Sequence, residues 1–240
     1  MIEKNELNVI DGLHIFEMAN NHQGNIEHGL KIIDAAARLA QKHNVRTAVK
    51  LQFRELDSFI HPDAKGRSDI KHIPRFESTR LDAEQFRRLV TAIREAGLVC
   101  VVTPFDEPSV ALCQALEVDV LKVASCSATD WPLLEAIADV GKPVIASTGG
   151  LSLTDIDNLV TFLSKHVPAL AIMHCVSLYP TPPERHALNF MSRLMRRYPY
   201  VLTGYSGHEA PDNTDVAMMA VAKGCLLYTS PSPRDRTRSR

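Results

Sequence analysis

Two lysines of this chain lie in apolar, β-branched runs that have the character of buried strands. Lys50 lies in "RTAVKLQF" (46–53) and Lys122 lies in "DVLKVAS" (119–125). Gln52 is two residues after Lys50, so both side chains are predicted to leave the strand on the same face. An ammonium group on a buried face needs an anion or a carbonyl group to offset its desolvation. The two lysines therefore indicate a pocket for a phosphate, a carboxylate or a carbonyl substrate.

Polar side chains also end the other candidate strands, and hydroxyl groups predominate among them. Hydroxyls beside two lysines suit a cradle for phosphate or carboxylate. For each lysine alone, a snorkelling side chain or a structural ion pair with Glu17 is an open alternative. Cys126 and Cys175 are expected to be small packing residues, since no base is paired with either. The further polar residues at the strand ends are Glu17, Asn21, Thr103, Ser125, Ser147, Ser177, Tyr179, Ser206 and His208.

Strands that alternate with helices must position these residues. Alternation with short joints indicates parallel βαβ units, and the first strand is not followed by the G-x-G-x-x-G motif of a dinucleotide-binding sheet. Seven such units predict an α/β fold, a (β/α)8 TIM barrel truncated before its eighth strand, whose catalytic face lies at the carboxyl ends of the strands. The predicted strands are 13–19, 46–53, 99–105, 119–125, 143–148, 170–177 and 201–206.

One connection of the predicted barrel is long. Residues 54–81 join the second strand to its helix, whereas the other joints are short. On a barrel this connection lies at the catalytic face, where it could act as a lid.

The end of the chain lacks the pattern of the rest. "CLLYTSPSPRD" (225–235) has no helical or strand periodicity and can be back-translated into a transposase adapter used for sequencing libraries. We therefore expect a lead-in at 1–12, an incomplete barrel at 13–224 and a non-native tail at 225–240. Pro231 and Pro233 argue against a strand here, so the edges of strands one and seven are expected to be unpaired. This fragment is expected to be inactive and prone to aggregation.

Composition excludes several classes of protein. The net charge is -1 and 45% of the 240 residues are hydrophobic, so a nucleic-acid or membrane-surface partner is not expected. An apolar run long enough for a membrane span is absent from the sequence, as is a signal peptide. The five cysteines occur singly, which argues against a zinc knuckle or a disulfide framework and predicts a cytoplasmic location.

Six separated motifs resemble the sialic acid synthase family in order and spacing, over residues 13–224. They are "FEMANNHQGNIEHGLKIIDAA", "VKLQF", "VTPFDEPSV", "LKVASCSATDWPLLEAIADVGKPVIASTGG", "HCVSLYPTP" and "GYSGHEAPDNT". The resemblance implies a (β/α)8 barrel followed by a small antifreeze-like domain, and a homodimer at full length. It also implies condensation of phosphoenolpyruvate with N-acetylmannosamine or a related N-acetylated amino sugar.

The resemblance further implies roles for single residues. Glu17 resembles the acidic residue beside the acceptor sugar, Gln52 and Tyr179 resemble residues that line the same pocket, and Asn21 is expected to bind substrate. His208 resembles the first histidine ligand of a Mn²⁺ or Mg²⁺ ion, and the second belongs to a "KHF" motif on strand eight, which is expected to be missing from this fragment. The set that resembles the phosphoenolpyruvate site is Lys50, Thr103, Lys122, Ser125, Ser147, Ser177 and Ser206.

Three departures from the family pattern put the acceptor sugar in doubt. Gly207 stands where an aspartate is usual, Ser177 where asparagine is common, and Cys126-Ser127 where glycine and a carboxylate are common. Synthases of legionaminic or pseudaminic acid are therefore alternatives. A Schiff-base aldolase on the same barrel, with Lys122 or Lys50 as the amine, is another, and so is a non-catalytic sugar-binding barrel.

Overall fold

Eight parallel strands form a closed barrel. The structure is a computed structural model and describes residues 9–210 and 212–229. Each strand pairs with the next along the chain, and the last pairs with the first, in the order β1-β2-β3-β4-β5-β6-β7-β8. The predicted (β/α)8 barrel is thus confirmed, whereas the prediction that it is truncated before its eighth strand is wrong. The strands are β1 (Leu13–Glu17), β2 (Thr47–Phe53), β3 (Val99–Pro104), β4 (Val120–Val123), β5 (Val144–Ser147), β6 (Leu170–His174), β7 (Leu202–Ser206) and β8 (Leu227–Thr229).

The prediction that strands one and seven have unpaired edges is wrong. Tyr228 of β8 lies opposite His14 of β1 and opposite Tyr205 of β7, and Leu227 is 1% exposed. Three residues with apolar or β-branched character are enough to complete the ladder, because Pro231 and Pro233 come after Thr229 in the sequence. The expectation that the chain is inactive and prone to aggregation rested on those open edges and loses that support. The assignment of residues 225–240 as a non-native tail stays a prediction, and residues 230–240 lie outside the described part of the chain.

The helices begin where the sequence supplies caps. Asn25 accepts a hydrogen bond from the backbone N–H of His28, and Asp82 and Ser152 each form a capping box with the third residue of the helix. No helix within the described ranges is both long and apolar enough to cross a membrane. The α-helices from residue 26 onward are α1 (Ile26–His43), α2 (Leu56–Phe59), α3 (Ile73–Ser78), α4 (Ala83–Glu95), α5 (Glu107–Ala115), α6 (Trp131–Asp139), α7 (Leu153–His166), α8 (Leu188–Arg197) and α9 (Asp215–Ala222).

Alternation along the strands separates two apolar cores and one polar layer. Outward residues such as Val49, Leu51 and Val102 pack against the helices in the largest apolar cluster. Inward residues near the amino ends of the strands, including Ala48 and Val120, fill the barrel. Because side chains alternate with period two, the inward residues that come next along the chain reach the carboxyl end. At that end they are polar: Lys50, Thr103, Lys122 and Ser147.

The long connection between β2 and α4 has structure of its own. It carries α2, a short 3₁₀ helix (Pro62–Ala64) and α3. Leu56, Ile60 and Ile73 form a small apolar cluster within it, separate from the barrel core. The connection is therefore a packed cover beside the carboxyl end of β2, and its predicted function as a lid stays a prediction.

Candidate active site

A cavity of about 340 Å³ opens at the carboxyl end of the barrel, a size that suits a small metabolite. Eleven of the twelve residues predicted from the sequence line it. Asn21 is the exception, since it lies in the turn after β1 and is not among the lining residues. The predicted residues that line the cavity are Glu17, Lys50, Gln52, Thr103, Lys122, Ser125, Ser147, Ser177, Tyr179, Ser206 and His208.

Lys50 and Glu17 form a buried ion pair at the floor of this cavity. Lys50 Nζ lies 2.5 Å from Glu17 Oε2 and donates a hydrogen bond to Thr103 Oγ1 at 3.4 Å. The alternative predicted for Lys50, a structural ion pair, is therefore present. Glu17 Oε1 is buried and has no hydrogen-bond partner among the described residues. One oxygen of the carboxylate holds the lysine, and the other is left for a bound molecule.

Lys122 has no such compensation. Its Nζ donates a hydrogen bond to Ser206 Oγ at 3.3 Å, and within the described ranges it forms no ion pair with a carboxylate. Burial lowers the pKa of Lys122 to about 8, and the charge of Lys50 lowers it further than the charge of Glu17 raises it. An anion bound beside this ammonium group would offset its desolvation.

A group of small polar atoms converges over Gly149, beside the carboxyl end of β5. Its N–H donates a hydrogen bond to Ser125 Oγ at 3.0 Å, and Ser125 Oγ lies 3.3 Å from Cys175 Sγ. A Cβ atom on Gly149 would lie 2.7 Å from Ser177 Oγ and 2.8 Å from Cys175 Sγ. The missing side chain is thus what lets strands β4, β5 and β6 bring these hydroxyl and thiol groups together.

Arg54 lines the same cavity and was missed by the sequence reasoning. The sequence carries a signal for it, because Arg54 continues the alternation of Lys50 and Gln52 on the inward face. It directly follows β2 and lies one residue beyond the predicted strand 46–53. Its guanidinium lies 3.6 Å from the centre of the Phe105 ring and donates a hydrogen bond to Gln52 Oε1 at 3.1 Å.

The structure explains the glycine at position 207. A Cβ atom there would overlap both carboxylate oxygens of Glu209, which is 1% exposed. Glu209 Oε2 accepts a hydrogen bond from the hydroxyl of Tyr205 at 3.0 Å. A carboxylate therefore fills the space where a side chain of residue 207 would begin, and it comes from two residues further along the chain.

The histidines have different positions. His208 lines the cavity, and its ring centre lies 4.2 Å from that of Tyr179. His174, which ends β6, is buried and donates from Nε2 to the carbonyl oxygen of His186 at 2.8 Å. Burial lowers the pKa of His174, so the neutral ring is favoured in this packing position.

The described residues do not complete a metal site. No group of three or more His, Cys, Asp or Glu side chains among them could hold a metal ion. The resemblance places the second histidine on strand eight of the family barrel, and β8 of this chain consists of Leu227, Tyr228 and Thr229. Among the described residues, His208 is therefore not part of a group of three or more metal ligands.

A comparison with known families decides the relationship. The family model described as "NeuB family" matches residues 32–228, which include the lysines, the hydroxyl groups and His208. The chain belongs to the NeuB family. The resemblance to sialic acid synthases that the motifs indicated is thereby confirmed.

Curated proteins and solved structures agree with membership in NeuB. The chain is 32% identical to N-acetylneuraminate-9-phosphate synthase from Drosophila melanogaster over 84% of its length and 55% of that protein. A solved structure described as a spore coat polysaccharide biosynthesis protein E, from Chromobacterium violaceum, has a TM-score of 0.89 and 46% identity, covering 94% of this chain and 68% of that one. N-acetylneuraminic acid synthetase from Leptospira borgpetersenii, solved in complex with citrate, has a TM-score of 0.80 and 28% identity, covering 96% and 75%. The chain thus spans little more than half of the matched Drosophila synthase.

Proposed function

We propose that the NeuB barrel described here condenses phosphoenolpyruvate with an N-acetylated amino sugar, N-acetylmannosamine or a close relative. The product is a sialic acid or another nonulosonic acid, together with phosphate. The observation that carries the proposal is Lys122, a buried cation without a carboxylate partner among the described residues, beside the hydroxyl of Ser206. Membership in NeuB supports a synthase of this general kind.

The reaction forms one C–C bond and releases phosphate. C3 of phosphoenolpyruvate attacks the aldehyde carbon of the open-chain sugar, and water adds at C2. The tetrahedral intermediate then expels phosphate as its C–O bond breaks. Lys122 and the hydroxyl groups around Gly149 hold the phosphate throughout, and their fixed positions avoid reorganisation as charge develops.

Glu17 and Gln52 are proposed to act on the acceptor side, and Lys50 positions Glu17 there. Lys50 fixes one carboxylate oxygen of Glu17, so the unpartnered oxygen, Oε1, has a defined position in the cavity. It can accept a proton or a hydrogen bond from a sugar hydroxyl. Gln52 lines the same wall and is oriented by its hydrogen bond from Arg54. The same wall therefore offers an acceptor oxygen and an amide to the sugar.

A divalent cation, Mn²⁺ or Mg²⁺, at His208 remains part of the proposal, because the resemblance implies it. When bound, such an ion supplies Lewis-acid polarisation of the aldehyde. The described residues supply His208 but no complete set of ligands, so no step above depends on the ion. A homodimer, substrate binding by Asn21 and a cytoplasmic location also stay predictions.

One observation favours a second candidate, a Schiff-base aldolase. The lowered pKa of Lys122, about 8, leaves part of its amine unprotonated near neutral pH, as a nucleophilic lysine requires. Borohydride reduction in the presence of pyruvate distinguishes the two functions. A stable adduct at Lys122 would support the aldolase, whereas the proposed synthase should leave the lysine unmodified.

The test of the proposed synthase is release of phosphate from phosphoenolpyruvate by the wild-type protein. We expect release to require an N-acetylated amino sugar, and mass spectrometry should find a product that contains every carbon of both substrates. N-acetylmannosamine and the amino sugars of legionaminic and pseudaminic acid should be compared as acceptors. If phosphoenolpyruvate neither binds nor reacts with any of them, the proposal is wrong.

A further inference from the structure

Arg54 lies at the outer level of the cavity. It is one inward position beyond the level of Gln52 and Thr103, a rise of about 6.6 Å along the strand. Its guanidinium is sandwiched by aromatic rings, with centres 3.6 Å away for Phe105 and 4.6 Å away for Phe76 of α3. The arginine therefore stands between the cavity and the long connection that covers its side.

No carboxylate among the described residues forms an ion pair with Arg54. Within the described ranges it forms no ion pair, and its buried Nε has no hydrogen-bond partner. The two carboxylates whose charge acts on it are committed elsewhere. Glu17 is bound to Lys50, and Asp106 accepts hydrogen bonds from the backbone N–H groups of Glu55 at 2.9 Å and Ser109 at 2.8 Å. The guanidinium thus keeps an unused donor in a desolvated place.

Burial lowers the pKa of Arg54 to about 10, with a smaller lowering by the neighbouring charge of Arg75. The side chain is therefore still a cation at neutral pH. Three cations line the cavity, and only Lys50 has a carboxylate partner among the described residues. Lys122 can take one anion, and Arg54 is then the remaining charge that lacks a counter-ion.

We propose that Arg54 binds a second oxyanion of the substrates, distinct from the phosphate at Lys122. The proposal rests on the proposed synthase function. A planar guanidinium with a free Nε–H suits a carboxylate or a phosphate monoester, which it can bind through two donors. That group is either the carboxylate of phosphoenolpyruvate or a phosphate carried by the acceptor sugar. Cys126 is exposed and lines the same cavity. Its side chain carries no carboxylate that would repel such an oxyanion.

The test measures the affinities of separate probes by calorimetry, for the full chain and for R54M. The probes are phosphoenolpyruvate, inorganic phosphate, an N-acetylhexosamine and its 6-phosphate. If R54M binds phosphoenolpyruvate at least about tenfold more weakly and its affinity for inorganic phosphate is unchanged, Arg54 is assigned to the carboxylate of phosphoenolpyruvate. A similar loss confined to the sugar phosphate assigns it to the acceptor. R80M, which removes an exposed arginine from the same connection, should leave all four affinities unchanged.

Two results would overturn the inference. Wild-type affinities for every probe in R54M, with a lowered Tm, would mean that the arginine only clamps the connection. An equal loss of affinity for all anions, inorganic phosphate included, would mean that Arg54 belongs to the same anion site as Lys122. If R54M does not fold, R54K decides: it keeps a cation beside Phe105 without the Nε donor, and it should show the same selective loss to a smaller degree.

Failure of the proposed function has a different signature. A wild-type chain that binds the sugar phosphate but not phosphoenolpyruvate would refute the synthase, and the effect of R54M on the sugar phosphate would still decide the role of Arg54. If removal of Arg54 changes the affinity neither for phosphoenolpyruvate nor for the sugar phosphate, only the inference is refuted. A wild-type chain that binds none of the anions would refute both.

Discussion

Lys122 Nζ lies 3.3 Å from Ser206 Oγ across the carboxyl end of the barrel, although the two residues are 84 positions apart in the sequence. The contact joins β4 to β7 and places next to a hydroxyl an ammonium group that has no carboxylate partner in the described part of the chain. Lys50, by contrast, is held by Glu17. The two inward lysines, equivalent by sequence pattern, thus have different electrostatic roles, and Lys122 is the one left to bind an anion.

Replacing Lys122 by methionine should weaken phosphoenolpyruvate binding by about 2–5 kcal/mol, because the anion would lose its buried cation. The free energy of unfolding should not fall, since a desolvated charge is removed from the core. Calorimetry and urea unfolding measure the two effects. K165M, at an exposed position of α7, is the control and should change neither. An unchanged affinity for phosphoenolpyruvate would show that Lys122 does not hold it.

Anion binding should weaken as the pH rises through about 8, because the lowered pKa of Lys122 means that its positive charge is lost in that range. Stability should change in the opposite direction. The pKa in the folded state is below the value of 10.5 for a free lysine, so the unfolded chain binds more protons between these pH values and the free energy of unfolding rises with pH there. Affinity and unfolding measured from pH 7 to 10 test both signs. In K122M this component of each dependence should disappear.

Replacing Glu17 by glutamine should impair the acceptor more than phosphoenolpyruvate. The change removes the charge that holds Lys50 and replaces one carboxylate oxygen by an amide that cannot take a proton. We expect a loss of about 10²–10⁴-fold in kcat/KM for the amino sugar if Glu17 transfers a proton. The affinity for phosphoenolpyruvate alone should fall little. Steady-state kinetics with each substrate varied measures the difference, and equal losses for both substrates would contradict the assignment.

Placing an aspartate at position 207 should destabilise the chain unless Glu209 is removed. The new side chain would overlap the Glu209 carboxylate and bring two like charges together, at a cost of about 1–3 kcal/mol for overpacking alone. G207D, E209A and the double variant form a cycle in urea unfolding. We expect the double variant to be more stable than the sum of the single effects. Simple additivity would mean that the two side chains do not compete for this space.

A divalent cation should bind through His208 if the metal assignment is right. H208A should then lower the affinity for Mn²⁺ by at least about tenfold, the scale seen for loss of groups that support a metal. Electron paramagnetic resonance of free Mn²⁺ measures the change. H166A, at an exposed position of α7, is the control. Full turnover of phosphoenolpyruvate in excess chelator would contradict the metal requirement.

Much of the fold and of the site could be predicted because both depend on short-range periodicity. Alternation with period two places Lys50 and Gln52 on one face, and it does so before any contact with another strand exists. Caps such as Asp82 begin helices through hydrogen bonds within three residues. Parallel βαβ order then brings the carboxyl ends of the strands to one rim, where eleven predicted residues line one cavity.

Which of the buried cations has a carboxylate partner was decided only by the tertiary structure. Glu17 reaches Lys50 but not Lys122, and Asp106 is used by backbone N–H groups, so Lys122 and Arg54 remain without counter-ions among the described residues. Ion pairing depends on distances of a few ångströms between elements that are far apart in the chain, and periodicity carries no such distances.

The closure of the barrel and the position of the Glu209 carboxylate beside Gly207 were also decided by the tertiary structure. Residues 227–229 form an eighth strand because the gap between β1 and β7 offers hydrogen-bond partners on both sides, which a three-residue run cannot reveal by itself. The carboxylate of Glu209 fills the place left by Gly207 because the chain turns back over that glycine. A local pattern determines which face a side chain occupies, whereas the packed barrel determines which other groups it meets there.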